Sequence, residues 1–350
     1  MKHNFGAGPG ILPRQAIEKS AQAILDLNGS GLSILEISHR SKDFDAILAQ
    51  TKSLVKDLLN VPDNYSILFL QGGASTQFSM VPMNLLPVGG KAAYVESGVW
   101  ASKAAKEAKL FGNVEIVSSS KDRNFCYVPT AYTIPADASY LHITSNNTIY
   151  GTQMASFPES KIPVVCDMSS DIFSRPVDVS KFDLIYAGAQ KNIGPAGVTI
   201  VIVRKDLMGH AMSITPSIWD WAKEAANQSM FNTPPTFPIY LSGLVFKWIK
   251  RQGGVVEMER RSQVKSSLLY DFIDQSSLYE SRVNKNCRSR TNVTFFLKDE
   301  RLNAEFLAQS SEAGLAALRG HKAAGGMRAS IYNAMPIAGV ETLLAFMQEF

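Results

Sequence analysis

The chain has 350 residues, 45% of them hydrophobic and 19% charged, which is the composition of a globular protein of about two domains. Thirty-five basic against 31 acidic residues leave a net charge of +4, too small and too dispersed for a nucleic-acid binder. Cys126, Cys166 and Cys287 show no CxxC spacing, the N-terminus MKHNFGAGPG lacks a signal-peptide core, and no apolar run approaches the ~20 residues of a membrane span. The expected location is the cytoplasm.

Taken in chain order, helical periodicity covers residues 14–27, opened by Pro13, and residues 42–59. A strand is expected at 65–70, a helix at 76–86 interrupted by Pro82, a strand at 92–95 and a helix at 100–111. Strands follow at 114–117, 140–143, 163–166, 182–186 and 198–203. This alternation predicts an α/β fold with a mostly parallel, helix-covered sheet. Past Tyr240 the pattern changes to one long helical stretch at 241–275, strands at 292–297 and 327–332, and helices at 301–313 and 339–349. The expected division is a large domain over 14–245 and a smaller α+β domain over 246–350, joined by the N-terminal segment 1–13.

The most informative stretch is AGAQKNIGPAG, residues 187–197, which sets Lys191 between two apolar strands with Gly194, Pro195 and Gly197 forcing a turn. An amine on such a loop is readily desolvated, which lowers its pKa from about 10.4 and makes it a nucleophile toward aldehydes. Asp167 ends the buried-strand run IPVVC and stands 24 positions earlier. Alone, Asp167 reads equally as a helix N-cap before Ser169 and Ser170. Together the two suit pyridoxal 5'-phosphate, whose aldehyde takes a lysine and whose ring nitrogen takes a carboxylate. QGGAS (71–75) follows a strand and opens a helix, so the free N–H groups of Ala74 and Ser75 suit a phosphate. GAGPG (6–10) has no preceding strand and carries a proline, so it fails as a dinucleotide loop.

With these motifs the chain resembles the phosphoserine aminotransferases, class V aminotransferases of the aspartate-aminotransferase fold type. The likeness runs nearly end to end through NFGAGPGILP, SHRSKDF, QGGASTQF, SGVWASKAAKEAK, CDMSSDIFSRPVDVS, YAGAQKNIGPAG, FNTPPTFPIY and GGMRASIYNAMP. Gln190 stands where related desulfurases usually carry histidine. The resemblance implies a fold type I transferase that uses pyridoxal phosphate, and no metal. Its expected reaction converts 3-phosphohydroxypyruvate and L-glutamate into O-phospho-L-serine and 2-oxoglutarate for serine biosynthesis. The family also acts on a phosphorylated hydroxythreonine on the way to pyridoxine.

Carried over by motif, Lys191 is the covalent anchor and proton carrier, Asp167 the partner of the ring nitrogen, and Trp100 the stacking ring. Thr148 and Gln190 complete the cofactor contacts. The resemblance gives Asn232 and Thr233, in the proline-stiffened FNTPP, to the cofactor phosphate of a neighbouring subunit, so a homodimer with shared sites is expected. It gives Arg328 to the substrate α-carboxylate, and His39, Arg40, His321 and Lys322 to the distal anion. It also places GAGPG near the substrate entrance. GHKAAGG departs from the usual GHR pattern, and its lysine keeps the charge but loses the guanidinium fork. A same-fold desulfurase would need a mobile cysteine; Cys287, just before TNVTFFL, reads as packing. A binding protein on the same scaffold, lacking the chemistry, is the other alternative.

Overall fold

The protein is described by a computed structural model over residues 2–350. Seven segments form the central sheet: β1 (Tyr65–Leu70), β2 (Lys91–Glu96), β3 (Asn113–Ser119), β4 (Ala138–Thr144), β5 (Val164–Asp167), β6 (Leu184–Gly188) and β7 (Thr199–Arg204). Their order is β1-β7-β6-β5-β4-β2-β3, parallel throughout except that β7 runs antiparallel to both of its neighbours. Every residue of β5 and β6 is buried, as continuous apolar runs require when both faces of a sheet are covered.

The cover follows from side-chain alternation along the strands. On one face α1 (Arg14–Leu25), α2 (Lys42–Leu59) and α6 (Thr236–Arg251) bring Phe44, Val55, Phe246 and Ile249 against Phe69, Ile143 and Ile185. On the other, α3 (Gly73–Leu85), α4 (Val99–Ala108) and α5 (Trp221–Ala226) set Phe78, Ala105 and Trp221 against Tyr94, Tyr140 and Tyr186.

A separate antiparallel sheet of β8 (Tyr279–Glu280), β9 (Asn292–Leu297) and β10 (Met327–Ser330) packs with α7 (Gly254–Gln275), α8 (Asn303–Glu312) and α9 (Ile337–Glu349). Phe5 belongs to this second core, with Leu269, Phe295, Phe306 and Leu343, and His3–Asn4 pairs with Leu315–Ala316.

Three expectations about elements need correction. The stretch 241–275 is two helices, because Gly253 and Gly254 both adopt positive φ (109° and 73°) and turn the chain between α6 and α7. Pro82 does not interrupt α3; it lies inside the last turn, where its carbonyl still accepts from Leu86 N–H at 2.9 Å, and the helix starts earlier, at Gly73. The strand expected to run to residue 332 stops at Ser330, where Ile331 N–H turns to Thr291 O at 2.8 Å.

Candidate active site

Asp167 is the last residue of β5 and Lys191 lies three positions past β6, so adjacent parallel strands deliver both to one edge of the sheet. The lysine loop is tied from several sides. Ile193 and Gly194 N–H both reach Ala189 O (3.2 and 2.9 Å), and Gly10 N–H reaches Gln190 O at 2.7 Å. Asn192 Nδ2 donates to Ile172 O at 2.7 Å, and its Oδ1 accepts from Asn333 N–H at 2.9 Å. GAGPG therefore lies against the lysine loop.

Lys191 Nζ donates to Thr148 Oγ1 at 2.7 Å and stands 5.8 Å from the centroid of the Trp100 ring. Burial draws its pKa down to about 8; Asp167 and Asp171 oppose the shift, while Arg328 adds to it. Asp167 is buried, with Oδ1 accepting from Ser169 N–H at 2.9 Å. Burial holds its carboxyl above the ordinary aspartate range, although the Lys191 charge and the Ser169 hydrogen bonds pull it back. A second buried carboxylate, Asp171, accepts from Ser145 Oγ, from Gln153 Nε2 at 3.1 Å and from Arg175 Nη2 at 3.3 Å.

Trp100 is the second residue of α4 and half-buried. The turn before it is held by Asn147 Nδ2, which donates to Ser97 O at 2.7 Å. A Cβ on Gly98 would meet that same nitrogen at 2.2 Å, so any larger residue there would have to displace the Asn147 amide. Ala74 and Ser75 occupy the first turn of α3, where backbone N–H groups have no carbonyl one turn back. Arg328, on β10, donates from Nη1 to Thr148 O at 3.2 Å, and its buried Nε has no partner. Thr148 thus touches both the amine and the guanidinium.

The remaining expected residues are placed less tightly. His321 is half-buried and takes Ala323 N–H on Nδ1 at 3.1 Å; burial lowers its pKa, and the charges of Arg328, Lys322 and Lys103 lower it further. Lys322 is exposed and Gln190 half-buried, its carbonyl engaged by Gly10. His39 and Arg40 make no side-chain hydrogen bond among the described residues; only Arg40 N–H is engaged, by Ser38 Oγ at 3.2 Å. Thr233 O accepts from Gln71 Nε2 at 3.0 Å, and neither Asn232 nor Thr233 bonds to the Lys191 group in its own chain. Cys287 is buried, with Sγ aimed at the carbonyls of Asn284 and Cys126 (3.4 and 3.8 Å) and its pKa raised by burial, which does not suit a mobile nucleophile.

Sequence reasoning missed Asp171 and Asn147. Asp171 had a signal, since it stands four residues after Asp167 in DMSSD.

A buried lysine with its pKa lowered to about 8, beside a buried strand-end aspartate, near an indole and next to an arginine whose Nε has no partner, is the site of an α/β enzyme whose groups suit an aldehyde and a carboxylate. The class-V aminotransferase family matches residues 3–343, and the chain belongs to that family. It is 54% identical to a phosphoserine aminotransferase of Flavobacterium johnsoniae, over 99% of this chain and 98% of that protein. Its fold superposes on a phosphoserine aminotransferase from Bacillus circulans subsp. alkalophilus with a TM-score of 0.98 at 44% identity, covering 100% and 98% of the two chains. A PLP-bound phosphoserine aminotransferase from Trichomonas vaginalis gives 0.95 at 35% identity, covering 99% of this chain and 100% of that one.

Proposed function

We propose that the chain is a pyridoxal-phosphate-dependent transaminase that converts 3-phosphohydroxypyruvate and L-glutamate into O-phospho-L-serine and 2-oxoglutarate, a step of serine biosynthesis. The observation that carries this reading is the Lys191–Thr148–Arg328 chain of contacts beside buried Asp167. The donor set fits the cofactor: an amine with a pKa of about 8, a buried carboxylate, a flat ring, a free helix start and an orphaned guanidinium nitrogen.

Bound there, pyridoxal phosphate supplies an aldehyde that carries the amino group and a ring that accepts electrons from Cα. Lys191 holds the aldehyde and, once released, moves the proton at the substrate Cα. Asp167 keeps a proton on the ring nitrogen. Ala74, Ser75, Gln190, Asn232 and Thr233 hold the cofactor phosphate, and Trp100 and Thr148 flank the ring. Arg328 grips the α-carboxylate, which decides the Cα–H bond presented to Lys191. His39, Arg40, His321 and Lys322 take the distal anion.

The working unit in this reading is a homodimer in the cytoplasm. Asn232 and Thr233 leave the Lys191 group of their own chain unserved, exposed Leu32 and Leu35 precede His39 and Arg40, and exposed Phe231 adjoins Asn232. No helix among the described residues is long and apolar enough to cross a membrane. We assign cofactor binding to a large domain, 14–245, and the Arg328 strand to a small one, 246–350 with 1–13; Phe5 in the second core supports that grouping.

A visible spectrum tests the function. Glutamate should bleach the band of the bound cofactor and 3-phosphohydroxypyruvate should restore it; a band indifferent to glutamate would overturn the proposal.

A further inference from the structure

Strand β1 is an edge of the central sheet, so N–H groups on its open side take partners from outside the sheet. Phe69 N–H finds one in Ser229 Oγ at 2.9 Å, and two residues later Gln71 Nε2 donates to Thr233 O at 3.0 Å. One strand end thereby holds the segment 229–233 at two points. That segment starts from an unfavourable backbone, with Gln228 and Ser229 both at positive φ (54° and 67°). One side of it opens on a cavity of about 340 Å³ lined by Gln71, Gly72, Thr76, Trp219, Ser229 and Asn232. On that side hydrogen bonds, not packed side chains, fix where Thr233 stands.

The bonds also decide which groups of Thr233 are left free. Its carbonyl takes Gln71 Nε2 and, at 3.4 Å, Asn232 Nδ2. Among the described residues neither its N–H nor its hydroxyl has a partner. A pinned carbonyl with both donors unspent suits an anion brought in from outside the chain.

Gln71 stands between this loop and the phosphate cradle of its own chain. It directly precedes Gly72 and Gly73, both at positive φ (87° and 68°), and the first turn of α3 with Ala74 and Ser75. The same strand end therefore presents one cradle to its own site and steadies the loop bound for the other. We propose that Gln71 is a positioning residue that holds Thr233 for the cofactor phosphate of the partner subunit, so that its loss weakens the site across the interface and spares the site of its own chain. This inference rests on the cofactor and homodimer assignments of the reading above.

The test uses cofactor-loaded heterodimers, purified through two different affinity tags, in which Lys191→Ala silences one site. Gln71 is exposed, so Gln71→Met, which keeps the length and loses the donor, does not disturb the core. The readout is the dissociation constant of pyridoxal phosphate, followed through the visible band of the Lys191-bound cofactor. In the first hybrid the two changes are in different chains, so the working site takes Thr233 from a chain with Gln71 intact. Its dissociation constant should equal that of a control hybrid of Lys191→Ala and wild-type chains. In the second hybrid both changes are in one chain, so the working site takes Thr233 from a chain without Gln71. Its dissociation constant should rise about fivefold, one neutral hydrogen bond in size. The reverse pattern would show that Gln71 serves its own chain's site. Equal rises in both hybrids would show a general structural role, and no rise in either an idle surface contact; each of the three overturns the inference. Wild-type protein that forms no such band, or that sediments as a monomer, would instead overturn the cofactor or homodimer assignment itself.

Discussion

The pKa of Lys191 can be read from the pH dependence of cofactor uptake, because only the neutral amine attacks an aldehyde. Burial lowers that pKa to about 8, so at pH 7.5 about a quarter of the molecules carry the free amine. An unperturbed lysine would offer about one in a thousand. Between pH 6.5 and 9 the uptake rate of the cofactor-free protein should rise about thirtyfold and then level off. An unshifted lysine would give a rise of about three-hundredfold with no plateau below pH 10. The neighbours fix the sign of two further shifts. Asp167 favours the charged amine, so Asp167→Asn should move the midpoint to lower pH. Arg328 disfavours it, so Arg328→Met should move the midpoint up. Stopped-flow absorbance under excess pyridoxal phosphate measures all three profiles. An unlevelled climb through pH 10, or midpoint shifts of the opposite sign, would refute the claim that burial poises this amine.

Two other predictions concern the frame around the site. Lys265 is buried, with its pKa drawn to about 7 by burial, and donates to the carbonyls of Ile331, Tyr332 and Met335 at 3.0, 2.8 and 3.0 Å. Lys265→Met should leave the carbonyls of Ile331 and Met335 unpaired, Tyr332 O keeping Met335 N–H at 2.9 Å, and cost about 3 kcal/mol or more of unfolding free energy in a urea titration; a loss under 1 kcal/mol would mean that water replaces the amine. Mixing Lys191→Ala protein with an Asn232→Ala/Thr233→Ala double variant should, after full subunit exchange, restore about a quarter of the wild-type sites. Activity that stays at the sum of the two parents would place the FNTPP loop in its own subunit's site.

The parts of the molecule that were legible in the sequence are those set by local chemistry. Lys191 stood out because Gly194, Pro195 and Gly197 bound its loop between two apolar runs, and Asp167 because a charge closes the run VVC. Lys42–Leu59, Tyr65–Leu70 and Asn292–Leu297 fall where periodicity places them, since each shows its buried pattern within one element. The break between α6 and α7 was hidden, because a single helix tolerates glycine at modest cost and only the backbone shows that two consecutive ones turn left-handed. Lys265 reads as one more polar residue on a mostly polar helix; its burial depends on a loop 66 to 70 positions later. Asn232, Thr233, His39 and Arg40 were legible only through family motifs, and their own chain leaves their side chains largely uncommitted.

Residues 2–10 form almost no regular structure beyond His3–Asn4, yet they are bonded to both the Arg328 strand and the Lys191 loop. Phe5 sits in the second core and its carbonyl takes Ser330 N–H at 3.1 Å, next to the strand that carries Arg328. Five residues later Gly10 holds the carbonyl of Gln190, beside Lys191. Between them Ala7 O accepts from Tyr332 Oη at 2.6 Å, and Tyr332 is one of the residues clamped by Lys265. The strap therefore bonds the Arg328 strand at one end and the Lys191 loop at the other, while Thr148 bridges Nζ and the guanidinium. In the proposed reaction, a drift of about an ångström between the amine and the guanidinium would slow proton transfer at Cα about a hundredfold. Two independent braces across that distance keep the arrangement without any contact from the substrate.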